Sequence, residues 1–433
     1  MGNEFFKVAT TVALAVVGTC ALSQTAPGIE FDEITVRGNA RLSETEVKAL
    51  CGLDASRTYR SADLDAVVKC LSDSSEFKAV GLETEGRTLI VNVTEAPKYT
   101  GLLDVSVTAS TDRGLSGRVF IEDRDFLARG LRASGEVELS SEEKTLTLGL
   151  AGPDLFGFGY ESGVTLAFGR FTYDSAAYKF DRLTVAPFVR VTLSEGQDLT
   201  FRAGYQADEM YDVDPNASPI LLLENGTRSS PFVSLQYAGE FTPRFALPTR
   251  LSVDASQAFT GLGGDHLSSV THARLKMVTE MLPKRLDVAM EIEGGHIESL
   301  GTGSTRVVDR FFLGGSSLRG FGARGIGPVD GGQFLGGNSY AVLRLETNSP
   351  VATVAGAAVS GGVFSDLGVV WGLDNAAGFI DPVDDDAKLR ASVGLSVTVQ
   401  IGDVPLNVFY AQPVEHQPGD QIQKFGFAVS TKF

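Results

Sequence analysis

Arg390-Ala391-Ser392-Val393-Gly394-Leu395-Ser396-Val397-Thr398-Val399-Gln400-Ile401 alternates from end to end. Ala, Val, Leu, Val, Val and Ile fall on one face; Arg, Ser, Gly, Ser, Thr and Gln fall on the other. Successive side chains of a strand point to opposite faces, so this stretch reads as a strand with one greasy and one polar side. The chain's last segment repeats the pattern. Phe425, Phe427, Val429, Thr431 and Phe433 share a face, and Lys424, Gly426, Ala428, Ser430 and Lys432 share the other.

Upstream the same signal recurs. Leu286, Val288, Met290 and Ile292 alternate with Asp287, Ala289, Glu291 and Glu293; Leu131 to Leu139 alternate with Arg132, Ser134, Glu136, Glu138 and Ser140. A β-sandwich core is narrow and dry. Carboxylates on an inner face are costly there and tolerated in a water-filled lumen. The reading is a transmembrane β-barrel of about sixteen antiparallel strands over residues 100–433, and helical periodicity disappears there. The strands centre near residues 105, 119, 135, 147, 166, 186, 203, 234, 254, 273, 289, 342, 364, 395, 408 and 428. Arg129-Gly130, Glu195-Gly196, Leu282-Pro283 and Gly402-Asp403 supply turns, and the longest interruption, rich in glycine, lies between Leu300 and Gly337.

Composition agrees. The 433 residues carry 37 Lys+Arg against 54 Asp+Glu, a formal net charge of −17, which argues against nucleic acid as a partner. Mean hydropathy is only +0.06, too low for a bundle of membrane helices. A barrel escapes that test because lipid-facing and lumen-facing residues average out.

The N-terminus is different. Val8 to Leu22 is apolar but short for a spanning helix, Lys7 precedes it and Ala21-Leu22-Ser23 follows. Residues 1–23 therefore read as a signal peptide. Cys20 raises a lipoprotein reading, which Thr19 fits poorly. Export into an oxidising compartment leaves a bridge between Cys51 and Cys70 open beside two buried thiols.

Residues 29–97 read as a small α/β module. Phe31 to Val36 is a strand, Ser43 with Glu46 forms a capping-box start to a first helix, and Ser61 opens a second with Leu64, Val67, Val68 and Leu71 on one face. Phe77–Thr84 and Leu89–Thr94 follow as a strand pair, giving β-α-α-β-β closed by Pro97. This order, with Ile34-Thr35-Val36-Arg37-Gly38-Asn39 in front and Val93-Thr94-Glu95-Ala96-Pro97 behind, resembles one POTRA domain. The resemblance implies a surface that accepts an extended client by strand addition; a generic α/β spacer is the plainer alternative.

The most specific motif is Phe311-Phe312-Leu313-Gly314-Gly315-Ser316-Ser317-Leu318-Arg319-Gly320-Phe321, followed by Gly322-Ala323-Arg324-Gly325-Ile326-Gly327-Pro328. Gly320, Gly322 and Gly325 spell G-x-G-x-x-G, but no βαβ unit surrounds them, so a dinucleotide site is rejected. The run instead resembles the inward-folded loop of the BamA/TamA family (bacterial surface antigen family). Gly336-Gly337-Asn338, Phe364-Ser365-Asp366-Leu367-Gly368 and Phe409-Tyr410-Ala411-Gln412-Pro413 also resemble that family's barrel. Leu318 departs mildly from the Val or Ile more usual there. The terminal Phe433 resembles the aromatic ending by which barrels are recognised for insertion.

Parity gives the motif a physical reading. Leu343 and Leu345 face lipid, so Arg344 and Glu346 face inward; Val363, Ser365, Leu367 and Val369 face out, so Asp366 and Gly368 face in. A loop folded into the lumen would offer Arg319 to both Glu346 and Asp366, and a guanidinium has donors enough for two carboxylates. An ordinary lumen ion pair is the plainer alternative, and the two are compatible.

No catalytic or metal motif appears. His266, His272, His296 and His416 are scattered. Asp381, Asp384, Asp385 and Asp386 lack EF-hand spacing and read as a solvated loop. Neither enzyme nor cofactor is expected.

The BamA/TamA resemblance implies an assembly and insertion factor in the outer membrane of a Gram-negative bacterium, with its module in the periplasm. Its partners would be unfolded outer-membrane proteins as clients and outer-membrane lipid, with periplasmic chaperones or accessory assembly proteins left open. It implies a lateral seam between the first strand (Leu103, Val105, Val107, Ala109) and the last (Phe425, Phe427 to Phe433), where an unpaired edge templates a client strand. Small inner residues there should pack little, and Val105 and Phe427 should lie close enough for an engineered bridge. A two-partner secretion pore is the rival. Such pores usually carry two POTRA modules and a plug helix, for which residues 24–28 are too few.

Overall fold

The computed structural model describes residues 28–40, 42–74, 76–96, 101–127, 130–283, 285–402 and 404–432, and the chain divides into two compact units, 1–98 and 99–433. The apolar N-terminal run, Pro97 and Phe433 lie outside the described residues.

In the first unit, strand Thr88–Glu95 is central. It runs parallel to Glu33–Arg37 and antiparallel to Phe77–Glu85, which forms an edge. Helix Glu44–Leu50 starts as its sequence requires: Glu46 donates its N–H to the Ser43 hydroxyl at 3.3 Å, and the Ser43 N–H donates to the Glu46 carboxylate at 2.8 Å. Helix Ser61–Asp73 buries Val67 and Leu71 against Ile34, Leu89 and Val91. It begins at Ser61 as expected, with Arg60 at the N-cap. Cys51 and Cys70 are disulfide-bonded with Cα atoms 6.0 Å apart, tying the end of one helix to the other. That closes the choice left open by the sequence.

The second unit is a closed barrel of sixteen strands, each antiparallel to the next. They run from Leu102–Ser110 to Phe425–Lys432, and each of the sixteen expected centres falls inside one strand. The alternation is realised as read. Val393, Leu395 and Val397 are exposed on the outer face, while Ser392 and Ser396 are buried inside. Inner carboxylates are paired, as with Glu136 and Arg118, or Glu161 with Arg132 and Arg190.

Strand length varies around the wall. The first four strands have 9, 10, 8 and 10 residues, about what crosses a bilayer. Lys179–Ser194 and Ser339–Val354 have 16 and extend beyond it.

The connection after Leu286–Ser299 folds into the lumen. Its Leu313, Leu318, Phe321 and Ile326 form an apolar knot with Tyr340, Val342 and Val370 of the wall. A second knot joins Val307 and Leu335 of this loop to Ile220 and Leu221. The latter belong to a six-residue helix, Pro219–Glu224, capped by the Ser218 hydroxyl. This helix departs from the all-strand reading of residues 100–433. It is too short to show periodicity, and tertiary contacts carry it.

Candidate functional site: the loop tip and the seam

Arg319 stands at the end of a tight turn. Gly314 accepts the Ser317 N–H at 3.2 Å, and Gly315 donates to the Phe321 carbonyl at 2.8 Å. The turn depends on Gly320, whose φ is +98° and whose added Cβ would lie 3.1 Å from the Ser392 Cβ. Leu318, fully buried, seats against Gly368, where an added Cβ would come within 3.0 Å of the leucine methyl.

The guanidinium meets both expected carboxylates. Arg319 Nε and Nη2 donate to the two Asp366 oxygens at 2.8 and 2.7 Å, and Nη1 donates to Glu346 Oε2 at 2.9 Å. The Arg319 backbone N–H adds a bond to Asp366 at 3.1 Å. Asp366 has no exposed side-chain surface and Arg319 is 12% exposed, so these are enclosed charges. Lysine could not replace this arrangement, because its single ammonium lacks the fork.

Several supports went unread in the sequence. The Phe364 ring lies under the guanidinium, 3.5 Å from centroid to Cζ, a cation–π contact. Ser392 donates its hydroxyl to the Arg319 carbonyl at 2.6 Å, and Ser396 donates to Glu346 at 2.9 Å. Arg344 reaches from the wall to the Ser317 carbonyl at 2.7 Å, held by Glu291 at 2.7 Å and Glu293 at 2.6 Å. Parity already placed these serines and Arg344 inside; their partner was the missing information.

The acidic loop is occupied by its own contacts. Asp385 accepts the Leu373 N–H at 2.7 Å, and Asp384 pairs with Lys388.

The seam is short. Pairing runs from Ala428 opposite Ser110 to Lys432 opposite Ser106, with one further bond from the Thr111 N–H to the Phe427 carbonyl at 3.2 Å. Val107 is paired, with Thr431. Leu103 and Val105 lie on the first strand but past its last described partner, and Phe425 sits opposite Tyr410 with ring centroids 4.9 Å apart. The expected closeness of Val105 and Phe427 is therefore wrong. Register places Phe427 level with Thr111, and alternation fixes a residue's face but not its height along the wall. The expectation of little packing inside also fails at one position. Gly426 is buried because the Phe409 ring covers it, 2.1 Å from where a Cβ would stand.

Residues 125–433 match the Omp85 superfamily domain. The chain belongs to the Omp85 superfamily. Its barrel is accordingly an outer-membrane barrel. Over 425 residues it is 26% identical to outer membrane protein assembly factor BamA of Nitratidesulfovibrio vulgaris, covering 94% of this chain and 51% of that protein. With BamA of Neorickettsia risticii it shares 22% over 414 residues, covering 93% and 55%. It thus spans about half the length of these curated relatives. A 137-residue stretch, 30% of this chain and 29% of the relative, is 30% identical to the human sorting and assembly machinery component 50 homolog. Among solved Omp85-like folds, BamA of Haemophilus ducreyi lacking POTRA domains 1–3 superposes with a TM-score of 0.77 at 18% identity, covering 94% of this chain and 85% of that one. CdiB of Acinetobacter baumannii gives 0.56 at 14%, covering 94% and 74%.

Proposed function

We propose that this Omp85 chain assembles outer-membrane β-barrel proteins, its seam offering an edge to which a client's strand adds. The observation that carries this reading is the seam itself. Among the described residues, strand Phe425–Lys432 pairs with the first strand from Ala428 to Lys432 and adds one bond between Phe427 and Thr111, whereas Ser339–Val354 pairs with Ala357–Trp371 along nearly its whole length. An edge so sparsely bonded separates at low cost and presents unpaired N–H and C=O groups to another strand. The client's own burial in lipid then drives insertion, so no nucleotide is needed. The first unit, as a POTRA-like module in the periplasm, would receive clients on edge strand Phe77–Glu85 by strand addition. Periplasmic chaperones or accessory proteins would dock there too.

The test is reconstitution. The protein in liposomes should accelerate folding of a urea-unfolded outer-membrane barrel, scored by protease protection and heat-modifiable migration. No acceleration over protein-free liposomes sinks the reading, and vesicle entry of a soluble exported partner would favour the secretion pore.

A further inference from the structure

We propose that the loop tip Gly314–Phe321 braces the seam from both sides, and that Asp112 is the positioning residue on the N-terminal edge. This rests on the assembly reading only for its purpose; the brace itself is a matter of contacts.

The C-terminal edge is held first. Gly320 and Phe321 pair with Gln423 and Ile422, the residues that lead directly into the last strand. Arg319 anchors the same turn to Asp366 and, through its carbonyl, to Ser392, both in strands on that side of the seam. The N-terminal edge is held by a residue with no other assigned role. Asp112 lies in the turn between the first two barrel strands, one residue past Thr111, whose N–H closes the top of the seam. Its carboxylate accepts the Ser316 N–H at 2.5 Å.

The fit is mutual. Gly315 has φ +60°, and a Cβ there would stand 2.6 Å from the Asp112 carboxylate. A side chain at position 315 would thus be strained and would also push Asp112 away. Because the turn is internally bonded from Gly315 to Phe321, a pull on one edge is transmitted to the other. The two edges of one of the wall's two shortest described pairings are thereby joined by a second, non-sheet route. Opening the seam requires the loop tip to release Asp112 while Arg319 stays on Asp366.

Hydrogen–deuterium exchange of the purified full chain in nanodiscs tests this without any client. In Asp112→Ala, amides of Ser106–Thr111 and Phe427–Lys432 should exchange about tenfold faster, the scale expected from losing a hydrogen bond to a charged group. Amides of Ser339–Trp371 should be unchanged. Asp112→Asn, which keeps an acceptor oxygen, should recover most of the protection. Gly315→Ala should reproduce the loss from the loop side and covers the case in which Asp112→Ala fails to fold. Unchanged seam exchange in Asp112→Ala or Gly315→Ala overturns the brace, as does an equal rise in Ser339–Trp371. Faster seam exchange in a protein that folds clients no faster than protein-free liposomes upholds the brace and counts against the assembly reading instead.

Discussion

Two stretches of the same wall are built to different standards. Around Arg319, strands Ser339–Val354, Ala357–Trp371 and Arg390–Ile401 are paired at length and bound to the loop by enclosed charges. Beyond Val404–Glu415, Phe425–Lys432 is bonded over short described stretches to both neighbours, and Phe425 and Phe427 are exposed on its outer face. All these strands have the same alternation and all meet lipid. What differs is hydrogen-bond register and what lies inside. Stability is concentrated where the loop is anchored and withheld where, on the proposed assembly role, the wall would part, as expected of elements that move.

That contrast can be broken from either side. The largest effect should come from locking the seam. Cysteines replacing Ala109 and Val429 are register partners, and opposed Cα atoms in an antiparallel pair lie ~4.5–5.5 Å apart, within disulfide reach. Oxidation should abolish client folding in liposomes and reductant should restore it, whereas a Val105/Phe427 cysteine pair should not cross-link. Full client folding with a verified 109–429 bridge would show that the seam does not open.

Next comes the anchor. Arg319→Ala strands an enclosed carboxylate at Asp366, a loss of roughly 3–5 kcal/mol by comparison with other enclosed pairs. The variant should still reach the membrane but melt earlier and change its heat-modifiable migration, with Arg319→Lys only partly restoring both. A wild-type melting profile would remove the anchor from the account.

A smaller effect sharpens the view of the last strand. Gly426→Ala drives a methyl into the Phe409 ring and should cost about 1–3 kcal/mol. Combining it with Phe409→Ala should recover part of that loss. Additive losses in the double variant would show that the ring does not set the packing of this strand.

Much of this was readable beforehand, and the reason is the period of two. Every strand with one face in lipid must alternate, so Arg390–Ile401 announced its fold, and parity alone turned Glu346 and Asp366 inward beside Arg344. The loop motif then supplied Arg319 as their partner. Helix Pro219–Glu224 stayed hidden because six residues cannot display a 3.6-residue period and its fold depends on Val307 and Leu335, far along the chain. Asp112 was hidden for another reason: an Asp in a tight turn is ordinary, and nothing local says that Ser316 lies beside it.

Sequence by itself determined that this chain makes a barrel, which side chains face lipid, and which loop carries the arginine, because alternation is a local property imposed by the solvent on each face. Only the tertiary structure decided how far the last strand pairs with the first, that Cys51 meets Cys70, and that one loop tip touches both edges of the seam. Those are relations between distant segments. Register and contact follow from the closure of the whole wall, and no single stretch of residues contains them.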